Sequence, residues 1–295
     1  MLSDMRSWTL KRSLPALGAL GCCALASFAA QSAAASAASV SANWAGYVAL
    51  PAAHGGSRFM SVSGAWREPS ATCGSRKESD SAVWVGLGGY RESSRGLEQV
   101  GTDADCTQTG APMYSSWFEL LPAEPVNLKL AVHPGDEMVA SVTIERHDVT
   151  LRIRDLTTGG HFSVTKRTDD IDASSAEWIV EAPSECVNEQ TCSVLPLTDF
   201  GQVSFSSATA IADAHTGEIS DPRWSATALE LQQAASSGAR GRASHRVAPT
   251  RTLTAAVPSA GVGPGGAFSV SWSQQSVQLK RRTPTTLPGF GGGPP

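Results

Sequence analysis

Between Met138 and Arg154 apolar side chains return at every second residue on both sides of one polar break, and that spacing restricts the chain more than any other feature. Met138, Ala140, Val142 and Ile144 share one face; so do Val149, Leu151 and Ile153, with Thr150, Arg152 and Arg154 opposite. A period of two belongs to strands that turn one face to a core and the other to water. Glu145-Arg146-His147-Asp148 reads as the hairpin turn between them, and Thr157-Thr158-Gly159-Gly160 turns the chain again into His161–Lys166. No amphipathic helix of useful length follows residue 40. Short alternating runs broken by Gly, Pro, Asp and Ser continue as far as Ala267–Trp272, where Phe268, Val270 and Trp272 share a face. Many short strands at this spacing predict an all-β, antiparallel two-sheet β-sandwich.

The first residues stand apart from that pattern. Arg6, Lys11 and Arg12 precede an apolar run from Leu14 to Phe28, and an Ala/Ser-rich zone follows to Ser39. That layout predicts a secretory signal and cleavage zone over residues 1–38. The apolar run is too short to span a membrane, so a secreted, extracellular protein without membrane attachment after signal removal is expected. A single domain is expected over 39–275, with a loop insertion at about 233–264. The Gly/Pro-rich end, 276–295, has no core residues to bury and reads as a disordered tail. Four cysteines remain outside the signal: Cys73, Cys106, Cys186 and Cys192. In a secreted chain an even number without CxxC spacing favours disulfides over metal binding. Of the three possible connectivities, Cys186–Cys192 closes a short local loop and leaves Cys73–Cys106.

Charge bears on partners. Ser41 to Gln232 carries 13 Lys and Arg against 26 Asp and Glu, a net of −13. An acidic body argues against nucleic acid and suits low pH, where protonation relieves self-repulsion. From Gln233 onward there are seven basic residues and no acidic one, including Arg240, Arg242, Arg246 and Arg251, read as a solvated loop. Most hydrolase signatures are absent: no GxSxG, no HExxH, no Asp-Thr-Gly or Asp-Ser-Gly. The six His stand singly and read as surface residues, so no metal and no cofactor is implied.

Ala176–Glu181 is the run that carries chemistry. Trp178 and Val180 point one way, and Glu177, Ile179 and Glu181 the other. A face with two carboxylates is either solvated or a working groove. Six blocks decide between these: Asn43-Trp44-Ala45-Gly46-Tyr47, Trp84-Val85-Gly86, Leu97-Glu98-Gln99-Val100-Gly101, Trp117-Phe118-Glu119, Ala176–Glu181 and Asp199-Phe200-Gly201. In that order they resemble the glutamic peptidase family (eqolisins, peptidase family G1), well over Ser41–Phe205 and loosely beyond.

The resemblance implies a sandwich of the concanavalin-like or jelly-roll type with a concave substrate groove, and an acid-active endopeptidase acting on proteins or peptides. Its catalytic Gln falls on Gln99 and its catalytic Glu on Glu181. Trp84, Trp117 and Glu119 match positions at the groove, and Glu177 shares Glu181's face, where like charge would tune it. Glu98 points away from Gln99 and reads as structural. Cys186 matches a family cysteine that closes a small disulfide loop. A monomer is expected.

The two residue types suit peptide hydrolysis. A carboxylate can take a proton from water and, once protonated, give one to the leaving amine. A carboxamide donates to an oxyanion at any pH. On this reading Glu181 is the base near an ordinary value of about 4.3, and Gln99 orients the water and stabilises the intermediate. The chain departs from the family at Gly88 and Ser115, where acidic residues are common. Two other readings remain at this stage: a carbohydrate-binding module with Trp84, Trp117 and Trp178 as platforms, and a glycoside hydrolase using Glu119 and Glu181.

Overall fold

The two alternating runs pair as neighbouring antiparallel strands in the computed structural model, which describes residues 38–52, 57–75, 77–91, 93–188, 191–234 and 252–276. Residues 1–37, the run Arg240–Arg251 and the tail from 277 lie outside the described residues. In chain order the first strands are β1 (Ser39–Ser41), β2 (Trp44–Pro51), β3 (Phe59–Arg67), β4 (Ala82–Gly88), β5 (Leu97–Cys106) and β6 (Pro112–Leu120). Then come β7 (Val126–Asn127), β8 (Glu137–Glu145), β9 (Asp148–Asp155), β10 (His161–Arg167) and β11 (Ala176–Glu181). The last are β12 (Ser184–Asn188), β13 (Thr191–Val194), β14 (Gln202–Ala212), β15 (His215–Glu218), β16 (Trp224–Ala234), β17 (Thr252–Pro258) and β18 (Phe268–Ser276). No helix among the described residues is long and apolar enough to cross a membrane.

One continuous path of paired strands runs β10-β9-β8-β3-β14-β18-β17-β16-β2-β11-β4-β5-β6-β7. It folds on itself, so that β4 and β5 lie across β8, and β11 lies across β3 and β14. Every neighbour along the path is antiparallel, and the short β1 pairs in parallel on β16. The expected two-sheet sandwich is therefore the architecture: β16-β2-β11-β4-β5-β6 in front, β9-β8-β3-β14-β18 behind.

Between the layers the alternating residues meet. Met138, Val142, Ile144, Leu151 and Ile153 from behind pack with Tyr47, Val83, Val85, Val100 and Trp178 from in front. The indole N–H of Trp178 donates to the Ser63 carbonyl at 2.8 Å, satisfying its one polar group inside the core. The front layer's other face carries a smaller cluster of Val48, Ala82, Trp84, Leu97, Trp117, Ile179 and Leu229. Strand alternation sorts the residues cleanly between the two.

The region expected as a loop at about 233–264 is not loop throughout. Thr252–Pro258 forms β17, between β16 and β18. Thr-Leu-Thr-Ala-Ala-Val-Pro has small residues where an alternating strand would have large ones, so period two is not visible in it. Both expected disulfides are present. Cys73–Cys106 ties the segment after β3 to the end of β5, and Cys186–Cys192 staples the β12–β13 hairpin that follows Glu181.

Candidate active site

The front face is laid out in rows by the register of β11, β4, β5 and β6. Glu177 stands opposite Gly86, Gly86 opposite Gln99, and Gln99 opposite Glu119. Two residues further along, Ile179, Trp84, Gly101 and Trp117 form the next row. Beyond it come Glu181, Ala82, Asp103 and Ser115. The polar residues picked out from the sequence thus fall on one face.

Trp84 links these rows. A Cβ on Gly86 would sit 2.9 Å from the Cζ3 end of its ring, and a Cβ on Gly101 would sit 2.6 Å from its own Cβ. The glycines of the WVG and LEQVG blocks give this large side chain room to lie along the sheet. Its other end, Nε1, donates to Glu181 Oε2 at 2.8 Å. Asn43 Nδ2 donates to Glu181 Oε1 at 3.0 Å, so each carboxyl oxygen has one fixed donor. The Trp44 indole N–H faces the same carboxyl without closing a hydrogen bond. Glu181 remains partly open at its end of β11.

Burial pushes Glu181 up to about 7, against the lowering effect of Trp84 and the smaller pull of Asn43; the nearby Glu119 raises it further. The ordinary carboxylate value expected from the sequence is therefore corrected. Below neutral pH the Glu181 carboxyl is mainly in its acid form.

Gln99 is 4 % exposed, and its Nε2 donates to Glu119 Oε2. That bond uses one of two amide hydrogens and fixes the amide's orientation, leaving one N–H and the unpartnered Oε1. Glu119 is itself raised by burial, with Gln99 lowering it. It binds Gln99 directly and acts on Glu181 through its charge, which connects the two expected catalytic residues.

The remaining candidates divide. Trp84 is fully buried and Trp117 is 7 % exposed, both in the groove-side cluster rather than the core between sheets. Trp117 Nε1 donates to Asp103 Oδ1 at 2.7 Å. Glu177 is fully buried, with neither oxygen hydrogen-bonded among the described residues. Burial raises it well above the usual range, and the charges that add to this are Asp172 and Glu98, whereas Glu119 is the acidic neighbour raising Glu181. Glu98, 1 % exposed, accepts the Asp172 backbone N–H at 3.3 Å and is pushed up to about 8 by burial.

Three residues acquire roles that the sequence reading did not give them. Asn43 lay inside a quoted block, yet nothing in strand alternation points it at a carboxylate. Asp103 shares Gln99's face four residues on, a signal that was legible; it accepts from Ser115 Oγ at 2.6 Å as well as from Trp117, and burial lifts it to about 6. Asp172 comes from a distant loop. It packs where a Cβ on Gly88 would lie, 2.5 Å from the Asp172 Cβ, and its carboxylate accepts from Ser94 Oγ and the Gly89 N–H. An acidic side chain thus lies beside position 88, brought there from another segment.

The family model described as the peptidase A4 family matches residues 42–246. Among solved structures, scytalido-glutamic peptidase with a peptide-based transition state analogue is 22% identical, with a TM-score of 0.58 over 78% of this chain and 98% of that one. SCP-B, a member of the eqolisin family in complex with the tripeptide Ala-Ile-His, is 21% identical with a TM-score of 0.55 over 78% and 98%. Aspergilloglutamic peptidase from Aspergillus niger is 23% identical with a TM-score of 0.50 over 66% and 99%. These likenesses establish a shared β-sandwich fold. A comparison with curated proteins finds no match.

Proposed function

Since the chain belongs to the peptidase A4 family and is a glutamic-type endopeptidase, we propose that it cleaves peptide bonds with Glu181 and Gln99 as the working pair, in the acid range and outside the cell. The observation that carries the reading is the Glu181 carboxyl: partly open, held by one donor on each oxygen, and set on the same face as an amide that keeps, among the described residues, an unpartnered N–H and Oε1. The signal-like residues 1–38 and the two disulfides support secretion. The peptidase unit is read as residues 39–275.

Glu181 enters the reaction protonated, because burial favours that form below about pH 7. As water attacks the scissile carbonyl carbon, one Glu181 oxygen takes a proton from it. The other gives its own proton to the carbonyl oxygen. The product is a gem-diol, and Glu181 is again a neutral carboxyl. It then protonates the amide nitrogen while accepting a proton from the gem-diol, and the C–N bond breaks. Gln99 Oε1 accepts from the attacking water, and its remaining N–H donates to the oxygen that gains charge. Glu119 positions Gln99.

Digestion of denatured casein at pH 4 tests this pairing. The wild-type protein should cut it, insensitive to chelators and serine reagents, while Glu181→Gln and Gln99→Ala, folded by circular dichroism, should not cut at a comparable rate. Normal cleavage by folded Glu181→Gln would overturn the assignment.

A further inference from the structure

Beside the Glu181 carboxyl the front face opens into a cavity of about 490 Å³. Val40, Trp44, Tyr90 and Leu229 form most of its wall, with Ser41 and Asn43 on one side. Asn43 belongs both to this wall and to the reacting centre, since its Nδ2 is the donor to Glu181 Oε1. Trp44 is shared in the same way: its ring meets the edge of Trp84 at 5.0 Å between centroids. The cavity therefore begins one side chain away from Glu181.

On the polar side of the wall Ser41 and Asn43 are engaged with one another. Ser41 Oγ accepts the Trp44 backbone N–H at 3.1 Å and lies against the Asn43 side-chain oxygen. No Asp, Glu, Lys, Arg or His lines the cavity among the described residues. A charged side chain entering it would give up water and meet no counter-charge among the described lining residues. An apolar or aromatic one would bury surface against two aromatic rings and two aliphatic side chains. Val40 at the rim is 62% exposed, an apolar residue that a bound chain would cover. The backbone leading to Tyr90 is held by the Gly89 N–H, which donates to Ser94 Oγ and Asp172 Oδ2.

We propose that this cavity is the specificity pocket of the peptidase, taking a bulky uncharged side chain, aromatic or branched aliphatic, from the substrate residue on one side of the scissile bond. The proposal rests on Glu181 being the reacting carboxyl. It is tested with peptides that differ only in the residue on either side of the cleaved bond, set in turn to Phe, Leu, Ala, Asp or Lys, with cleavage followed by mass spectrometry. At one of the two positions Phe and Leu should exceed Asp and Lys in kcat/KM by about ten-fold or more. Tyr90→Arg should shift the Phe-to-Asp ratio at that position by about ten-fold towards Asp and leave the ranking at the other position in place. Cleavage that does not discriminate at either position overturns the pocket and leaves the Glu181 assignment standing. So does a folded Tyr90→Arg protein that keeps the wild-type ranking. If the wild-type protein cuts none of the peptides, the assignment of Glu181 falls and the pocket with it. Should Tyr90→Arg fail to fold, the wild-type series alone decides.

Discussion

Glu177 and Glu181 occupy the same face of one strand, four residues apart, and the two ends of that strand provide opposite surroundings. At the Glu181 end two side chains donate to the carboxyl, one per oxygen, and the residue stays partly open. At the Glu177 end the carboxyl is fully enclosed, with neither oxygen hydrogen-bonded among the described residues and with acidic neighbours. Both are pushed up by burial, yet only Glu181 combines a settled geometry with access. On the proposed assignment, the donors that orient a carboxyl and the opening that reaches it mark which of the two reacts. Position on the strand alone does not distinguish the two.

Exchanging the two carboxyls for amides gives the largest expected contrast. Glu181→Gln should lower turnover by about a thousand-fold or more, the order expected for loss of acid–base transfer. Glu177→Gln should stay within about ten-fold of wild type, and steady-state kinetics on one peptide checks both. A folded Glu177→Gln protein as inactive as Glu181→Gln would break the distinction. Next in size is Gln99→Ala, which removes the proposed oxyanion donor and should cost about a hundred- to a thousand-fold in kcat. Glu119→Gln keeps an acceptor for Gln99 Nε2 and should cost about ten-fold, in kcat more than in KM.

Stability separates the two ends in another way. Glu68 and Glu98 are pushed up to about 8 by burial, Glu181 to about 7, and Glu177 well above the usual range. A raised folded value means that the folded state holds a proton which the unfolded state has released. The stabilisation is thus complete below the unfolded value of about 4.3 and is lost as pH rises through the folded value, at about 1.4 kcal/mol per pH unit for each such group. The melting temperature should be higher at pH 4 than at pH 8, and Glu177→Gln should flatten that slope. A melting temperature that rises from pH 4 to pH 8 would contradict the burial account. The smallest expected effect is at Asp103. Ser115→Ala removes one of its two side-chain donors and should cost about 1 kcal/mol in denaturant unfolding.

Strand alternation made much of this legible. It placed Trp178 in the core, separated Gln99 from Glu98, and put Glu177, Ile179 and Glu181 together on one face. It could not reveal β17, whose small residues carry no period, nor Asp172, which reaches Gly88 through the tertiary fold. Nor could it give the ionisation of Glu181, because desolvation depends on what covers a residue and not on its neighbours in sequence. The glycines beside Trp84 were visible as motif letters, but their purpose, room for an indole, appears only in three dimensions.

The central claim is that Glu181 starts the reaction as an acid, and the pH dependence of kcat/KM on one uncharged peptide tests it most directly. Wild-type activity should be high in acid and fall as pH rises through about 7. Trp84→Phe, which removes a donor that stabilises the ionised form, should move that fall upward by about one unit or more. Activity that climbs with pH through the same range would show that Glu181 works as a carboxylate base, contradicting the account.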